Sequence, residues 1–360
     1  MIGSTRPLRS LFFASVLFAA CGGGSSGSDG GSPDGGSPDG NTAALAQWTW
    51  IDVPGAACDD GSPTGIAVNP GTSDDLVIYF EGGGACWDFS TCFVLNTSAH
   101  GPVGLTQWTA LAPQISVGPF DRARATNPLR DASYVFVPYC TGDMHGGNNV
   151  QGYTANGVTK TMHHVGRKNF EAALPTITAM WKAPARVVVA GTSAGGYGAT
   201  FNYDLVRTTY PDAKAVLIDD AGPLLESTAI PATIRTAAYA SWKLGDVIDP
   251  LCASCSADFS GLTSALATKY PNDRLSLISA LTDPTVSLFF QLSLAQFQTD
   301  VLAMVADHYT PTSNARAYLV TGTQHGYLAT MATTTSKGVS LDEWITDLLD
   351  GAASWDTVSP

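Results

Sequence analysis

Residues 186–196 read Arg186-Val187-Val188-Val189-Ala190-Gly191-Thr192-Ser193-Ala194-Gly195-Gly196, and the order of residue types in this stretch decides the architecture. The run Arg186 to Ala190 is short, β-branched and apolar on both faces, which predicts a strand buried within a sheet. It passes directly into small residues, and the polar Asn202 and Asp204 then fall inside a helical stretch. A serine at the apex of a tight strand-to-helix turn exposes its hydroxyl, provided its neighbours are small enough for the backbone to fold sharply. Gly191, Ala194 and Gly195 meet that demand, so Ser193 is the candidate nucleophile.

Similar buried-strand runs recur on either side of this one: Leu76 to Phe80, Tyr134 to Val137, Ala215 to Ile218, Leu275 to Ser279 and Ala317 to Val320. Helix-like stretches lie between them. The clearest is His164 to Trp181, with Phe170, Ala173, Ile177 and Trp181 at helical spacing despite Pro175. Alternation of this kind predicts an α/β domain with a mostly parallel central sheet and helices on both faces. In such a sheet the working loops lie at the carboxyl ends of the strands.

Those strand ends supply partners for Ser193. Leu76 to Phe80 leads into Glu81-Gly82-Gly83-Gly84, a loop whose backbone can approach a substrate with no side chains in the way. The N–H groups of Gly83, Gly84 and Ala194 are the expected oxyanion hole. A general base must follow the serine in chains of this type, which leaves His308 and His325. His325 follows the strand Ala317 to Val320, at the sheet end where sites form, whereas His308 lies within a helical stretch and reads as a surface or packing residue. His100, His145, His163 and His164 precede the serine and fit poorly. Asp283, after Leu275 to Ser279, is the preferred acid because acids arrive from the later strands. Asp219 and Asp220 compete for the role, and Asp220 suits a supporting one. Acyl transfer by such a set requires no metal or cofactor.

The ends of the chain read differently. Arg6 and Arg9 precede the apolar run Leu11 to Ala20, which is too short to span a bilayer and has the form of an export signal, residues 1–20. Phe18-Ala19-Ala20-Cys21 resembles a bacterial lipobox, so residues 21–43 are expected to be a Gly/Ser/Pro/Asp-rich tether acylated at Cys21. Residues 44–360 then form one catalytic domain. The expected location is the bacterial cell envelope or the exterior, with membrane contact only through the anchor. The net charge of −13 lies mostly in the folded part, which argues against nucleic acid and against polyanionic substrates. A monomer is expected. With Cys21 acylated, six cysteines remain for three disulfides. Sequence alone does not choose among the fifteen pairings; Cys86 with Cys92 and Cys252 with Cys255 are the short local options, leaving Cys58 with Cys140. The Cys252-Ala253-Ser254-Cys255 spacing reads as a structural bridge, since no second metal-ligand pair lies nearby.

Three segments taken together, Tyr79 to Gly84 followed by Cys86, Gly191 to Gly196, and Asp220-Ala221-Gly222, resemble the pectin acetylesterase and Notum family. The resemblance extends to Cys58-Asp59-Asp60-Gly61-Ser62-Pro63 and to Val137-Pro138-Tyr139-Cys140 with Asp143. It implies an α/β-hydrolase fold, with Ser193, Asp283 and His325 as the triad and Gly83, Gly84 and Ala194 as the oxyanion hole. The implied activity is removal of acyl groups from hydroxyls on sugars or proteins, and the implied substrate an acylated carbohydrate or small ester. The chain departs from the family in having Ala85 after the glycines, Ala221 in place of a serine, and no glutamine after Asp283. Two rival readings are a lipase or polyester depolymerase, and a lipid-anchored glycan-binding protein that keeps the fold without the chemistry. The segment Pro223 to Tyr270 is the expected cap-like insertion.

Overall fold

The computed structural model describes residues 45–226 and 228–360; the expected export signal, Cys21 and the tether lie outside the described residues. In chain order the first ten strands are β1 (Thr49–Ala57), β2 (Pro63–Asn69), β3 (Asp75–Phe80), β4 (Ser133–Val137), β5 (Asn149–Ala155), β6 (Val158–His164), β7 (Arg186–Thr192), β8 (Lys214–Asp220), β9 (Arg274–Ala280) and β10 (Ala315–Val320). The helices are α1 (Phe89–Phe93), α2 (Leu105–Leu111), α3 (Gly166–Met180), α4 (Ala194–Thr209), α5 (Ala232–Trp242), α6 (Gly245–Ile248), α7 (Leu262–Lys269), α8 (Pro284–Phe289), α9 (Leu294–His308) and α10 (Leu341–Asp350). Among the described residues no helix is long and apolar enough to cross a membrane.

Eight strands form one sheet in the order β1-β2-β4-β3-β7-β8-β9-β10. From β4 to β10 every pairing is parallel, and β2 is antiparallel to both of its neighbours. The six runs read as buried strands are β3, β4, β7, β8, β9 and β10. Their residues alternate between two cores: Val187 and Val189 face one apolar layer with α3 and α4, whereas Val188 and Ala190 face a second built around Trp344 and Trp355. That two-sided burial is why these strands read as continuous apolar runs.

Four of these ten strands, β1, β2, β5 and β6, were not expected. β1 carries Pro54 and Gly55, both exposed, and only its inner residues Val53 and Ala56 are buried, as suits an edge strand. β5 and β6 form a separate hairpin whose residues are mostly exposed and polar, so apolar periodicity cannot reveal it. Its signal was Asn156-Gly157, both at positive φ between Ala155 and Val158, the pairing favoured in tight hairpin turns. The helix expected over His164 to Trp181 is Gly166–Met180, because His164 still pairs with Asn149 in the hairpin. Pro175 lies on the exposed face of α3, where water can satisfy the carbonyl it leaves unpaired.

Three disulfides close Cys58 to Cys140, Cys86 to Cys92 and Cys252 to Cys255, which selects the short local options from the fifteen pairings the sequence leaves open. The insertion from Pro223 to Tyr270 carries α5, α6 and α7. Trp242 of α5 donates its indole N–H to the Cys86 carbonyl at 2.8 Å, and Ser241 donates its hydroxyl to the Trp87 carbonyl at 2.9 Å. The insertion is thereby fastened to the loop that follows β3.

Candidate active site

Because β3, β7, β8, β9 and β10 run parallel, the loops leaving their carboxyl ends gather at one edge of the sheet. Ser193 follows β7 and caps α4 with φ 62° and ψ −124°, a conformation that costs about 1–3 kcal/mol for a residue with a Cβ. The Ser193 N–H donates to the Asp220 carbonyl at 2.7 Å, which ties the strained residue to the end of β8. The turn also presses on the end of β3: a Cβ at Gly195 would lie 1.9 Å from the Phe80 carbonyl oxygen. Only glycine permits that approach.

The loop after β3 folds back on residues 97–99. Gly84 has φ 75°, and a Cβ there would lie 2.1 Å from the Thr97 carbonyl oxygen. The carbonyls of Gly83 and Gly84 are occupied, accepting from the Ala99 N–H at 2.6 Å and the Tyr139 hydroxyl at 2.9 Å. Their own N–H groups have no protein acceptor among the described residues. The Ala194 N–H belongs to the first turn of α4 and has no intrahelical partner. Three free donors therefore sit on the two loops.

His325 lies beyond β10, and its Nδ1 is 2.7 Å from Asp283 Oδ2. Asp283 is fully buried at the start of α8, where its other oxygen accepts the N–H groups of Thr285 at 2.8 Å and Val286 at 3.1 Å. Both oxygens are thus held and the ring orientation is fixed. Ser193, Ala194, Gly84 and His325 line one pocket with Met144, Tyr197, Val286, Phe289 and Phe290, of about 280 Å³ with its open mouth included. No Ser193–His325 hydrogen bond is formed in this conformation, although the two residues face the same space. Gly83 packs behind them against Tyr139.

Asp220 occupies a different position. It is fully buried and accepts the Tyr327 N–H at 2.8 Å and 2.9 Å, the Leu328 N–H at 3.0 Å and the Thr192 hydroxyl at 2.9 Å. It grips the backbone just past His325 and leaves the imidazole to Asp283. Burial raises its pKa, opposed by those backbone donors, the Thr192 hydroxyl and the His325 charge. Tyr79 extends this chain by donating to Thr192 Oγ at 3.0 Å. Sequence reading missed Tyr79 and Thr192, although Thr192 adjoins the serine. His308 is remote from the cavity, bonded to Ser260 at 3.0 Å and Ser264 at 3.1 Å.

Beneath the glycine loop lie Glu81 and His145. His145 Nε2–H donates to the Glu81 carbonyl at 2.8 Å, and Glu81 Oε2 accepts the Tyr139 N–H at 2.9 Å. Burial pushes the Glu81 carboxyl up to about 7 and the His145 imidazole down to about 4. Between pH 4.5 and 7 the folded chain keeps on Glu81 a proton that the unfolded chain releases, so this group lowers stability as pH rises. His145 acts oppositely from pH 4 to 6.5, being neutral when folded and protonated when unfolded. Comparison with Glu81→Gln isolates the first effect. The wild type should lose roughly 2–3 kcal/mol relative to the variant between pH 4.5 and 7.5. Urea midpoints at both pH values check it, and a constant difference would refute it.

A mostly parallel eight-stranded sheet, with a serine on a strained strand-to-helix turn and a His–Asp pair at the same sheet edge, defines an α/β-hydrolase-like protein. The model of the pectinacetylesterase family matches residues 42–280, and the chain belongs to that family, whose members are esterases acting on acyl groups. The match includes Ser193 and ends before Asp283 and His325. The chain is 28% identical over 182 residues to palmitoleoyl-protein carboxylesterase notum2 of Xenopus laevis, covering 47% of this chain and 35% of that protein. It is 26% identical over 174 residues to pectin acetylesterase 11 of Arabidopsis thaliana, covering 47% of this chain and 42% of that protein. The aligned part thus spans less than half the length of either relative. Two crystal forms of the Wnt deacylase Notum from Drosophila share the fold, with TM-scores of 0.56 and 0.57 at 17% identity. These alignments cover 86% of this chain and 96% and 95% of the Notum chains.

Proposed function

We propose that the chain is a serine carboxylesterase that removes acyl groups from hydroxyls of an extracellular carbohydrate. In this reading Ser193 Oγ attacks the acyl carbon while His325 takes its proton, and Asp283 stabilises the imidazolium that forms. The N–H groups of Gly83, Gly84 and Ala194 receive the developing oxyanion. His325 returns the proton to the departing sugar oxygen, and a water activated by the same imidazole then frees Ser193 and the carboxylic acid. The observation that carries this reading is the buried, fully hydrogen-bonded Asp283 holding His325 at the cavity that Ser193 lines. Three disulfides fit an oxidising compartment, as an exported enzyme requires.

A second reading concerns the acyl group. An adjoining pocket of about 430 Å³, open mouth included, exposes mostly apolar surface from Trp87, Ile234, Ala238, Trp242, Phe259 and Phe290, with Arg235 and Tyr239 also lining it. It shares Met144, Tyr197 and Phe290 with the first, a favourable setting for an alkyl chain longer than acetyl. The relatives bracket the question, one being a palmitoleoyl-protein carboxylesterase and the other a pectin acetylesterase. A series of p-nitrophenyl esters from acetate to dodecanoate separates the two. Highest kcat/KM at acetate, with acetate release from acetylated glycans, supports the first reading. A rise of about tenfold or more per few methylenes supports the second. No turnover of any ester would overturn both.

A further inference from the structure

A further open site lies beside residues 88–90, which follow the loop after β3 in the chain. It is a groove of about 860 Å³, mouth included, between the start of α1 and the tip of the β5–β6 hairpin. Phe89 and Tyr153 supply aromatic surface, and Asp88, Ser90, Thr154 and Asn156 supply polar groups. Ser90, Thr154 and Asn156 are exposed; the Thr154 hydroxyl pairs with that of Thr159 at 2.8 Å, while the Ser90 and Asn156 side chains face water that a ligand can replace.

Both walls are rigid. The Cys86–Cys92 disulfide brackets the start of α1, and Asp88 caps that helix by accepting the Thr91 N–H at 2.7 Å. On the other wall, Tyr153 donates its hydroxyl to His164 Nε2 at 2.9 Å, while His164 Nδ1–H donates to the Thr141 carbonyl at 2.9 Å. Burial holds His164 neutral by pulling its pKa down to about 4, which preserves the accepting nitrogen at ordinary pH. Pre-organised walls lower the ordering cost of binding.

We propose that this groove binds a neutral glycan chain, acting as a docking subsite apart from the reacting centre. A pyranose presents an apolar C–H face and a rim of hydroxyls, and the groove pairs aromatic surface with short polar side chains in the same way. Charge selects the class of glycan. The groove offers one carboxylate, Asp88, already engaged in its cap, and the Lys160 ammonium beside it lies over the Phe93 ring at 5.0 Å and the Phe89 ring at 6.0 Å, so the local charge is balanced. With a net charge of −13, the chain as a whole disfavours a polyanion. One short segment links groove and site: Gly84 lines the catalytic cavity, Trp87 the apolar cavity, and Asp88 to Ser90 the groove. A polymer held here therefore lies at the loop that carries the candidate oxyanion donors. Its consequence for turnover rests on the esterase reading, whereas the binding itself does not.

The test uses the full chain with Ser193→Ala, run in native gels containing xylan, mannan, β-glucan or polygalacturonate. At least one neutral polymer should retard it, and polygalacturonate should not. Ser90→Trp, which fills the groove from an exposed position, and Phe89→Ala, which removes an aromatic face, should each weaken that retardation about tenfold. In chains retaining Ser193, the same two changes should raise KM for the acetylated polymer about tenfold and leave kcat/KM for p-nitrophenyl acetate unchanged. Retardation that survives both changes, retardation by polygalacturonate alone, or no retardation by any neutral polymer would each overturn the proposal. The gels read binding without turnover, so an inactive wild type would count against the esterase reading and leave this result standing.

Discussion

Ser193→Ala is expected to lower kcat for p-nitrophenyl acetate roughly ten-thousand-fold or more, with little change in KM. The hydroxyl is the only group removed, and its neighbours Gly191, Ala194 and Gly195 retain the turn. Relief of the positive φ is small because alanine keeps the Cβ, so folding stability should stay within about 1 kcal/mol of the wild type. Residual activity in the variant measures what free donors and binding supply without a nucleophile. A fluorophosphonate probe gives an independent readout, since labelling should be confined to Ser193. Undiminished turnover, or labelling at another residue, would exclude Ser193 from the role.

The second large effect separates the two buried carboxylates. Asp283→Asn should reduce kcat by roughly a thousandfold to ten-thousandfold, because an amide in that place loses the negative charge and favours the wrong imidazole tautomer. The start of α8 should survive, as an asparagine oxygen can still accept the Thr285 and Val286 N–H groups. Asp220→Asn should instead act on the loop. It removes an acceptor from the Tyr327, Leu328 and Thr192 donors, at a cost of about 1–3 kcal/mol in stability, with about a tenfold loss of kcat. Activity and thermal unfolding measured on both variants decide the matter. If Asp220→Asn were the more damaging to kcat at equal stability, the acid would have been misassigned.

These predictions draw unequally on sequence and fold. The sheet was legible because β3, β4 and β7 to β10 are buried on both faces, and such strands show as unbroken apolar runs in the chain. The hairpin β5–β6 was not, because most of its residues face water and its one signal is the Asn156-Gly157 turn. It nevertheless builds one wall of the groove. The positions of Ser193 and His325 beyond β7 and β10 were legible as candidates because each follows a strand with small or polar residues at a fixed place in chain order. Whether Asp283 or Asp220 faces the imidazole was open, since both follow strands that end at the same sheet edge.

The sequence alone determined which residue types stand at the strand ends and that a parallel sheet would bring those ends together, whereas the cysteine pairing, for which it offered only the short local options, was decided by the structure. Local pattern suffices for the former, because strand burial and tight turns depend on neighbours in the chain. Tertiary structure alone decided that Asp283 turns its free oxygen to His325 while Asp220 spends both of its oxygens on backbone and hydroxyl donors. It also decided that the insertion walls an apolar cavity beside the serine. Those outcomes depend on side-chain direction across segments tens to more than a hundred residues apart, and a carboxylate's partner is fixed by the nearest donor in space, which the linear order does not encode.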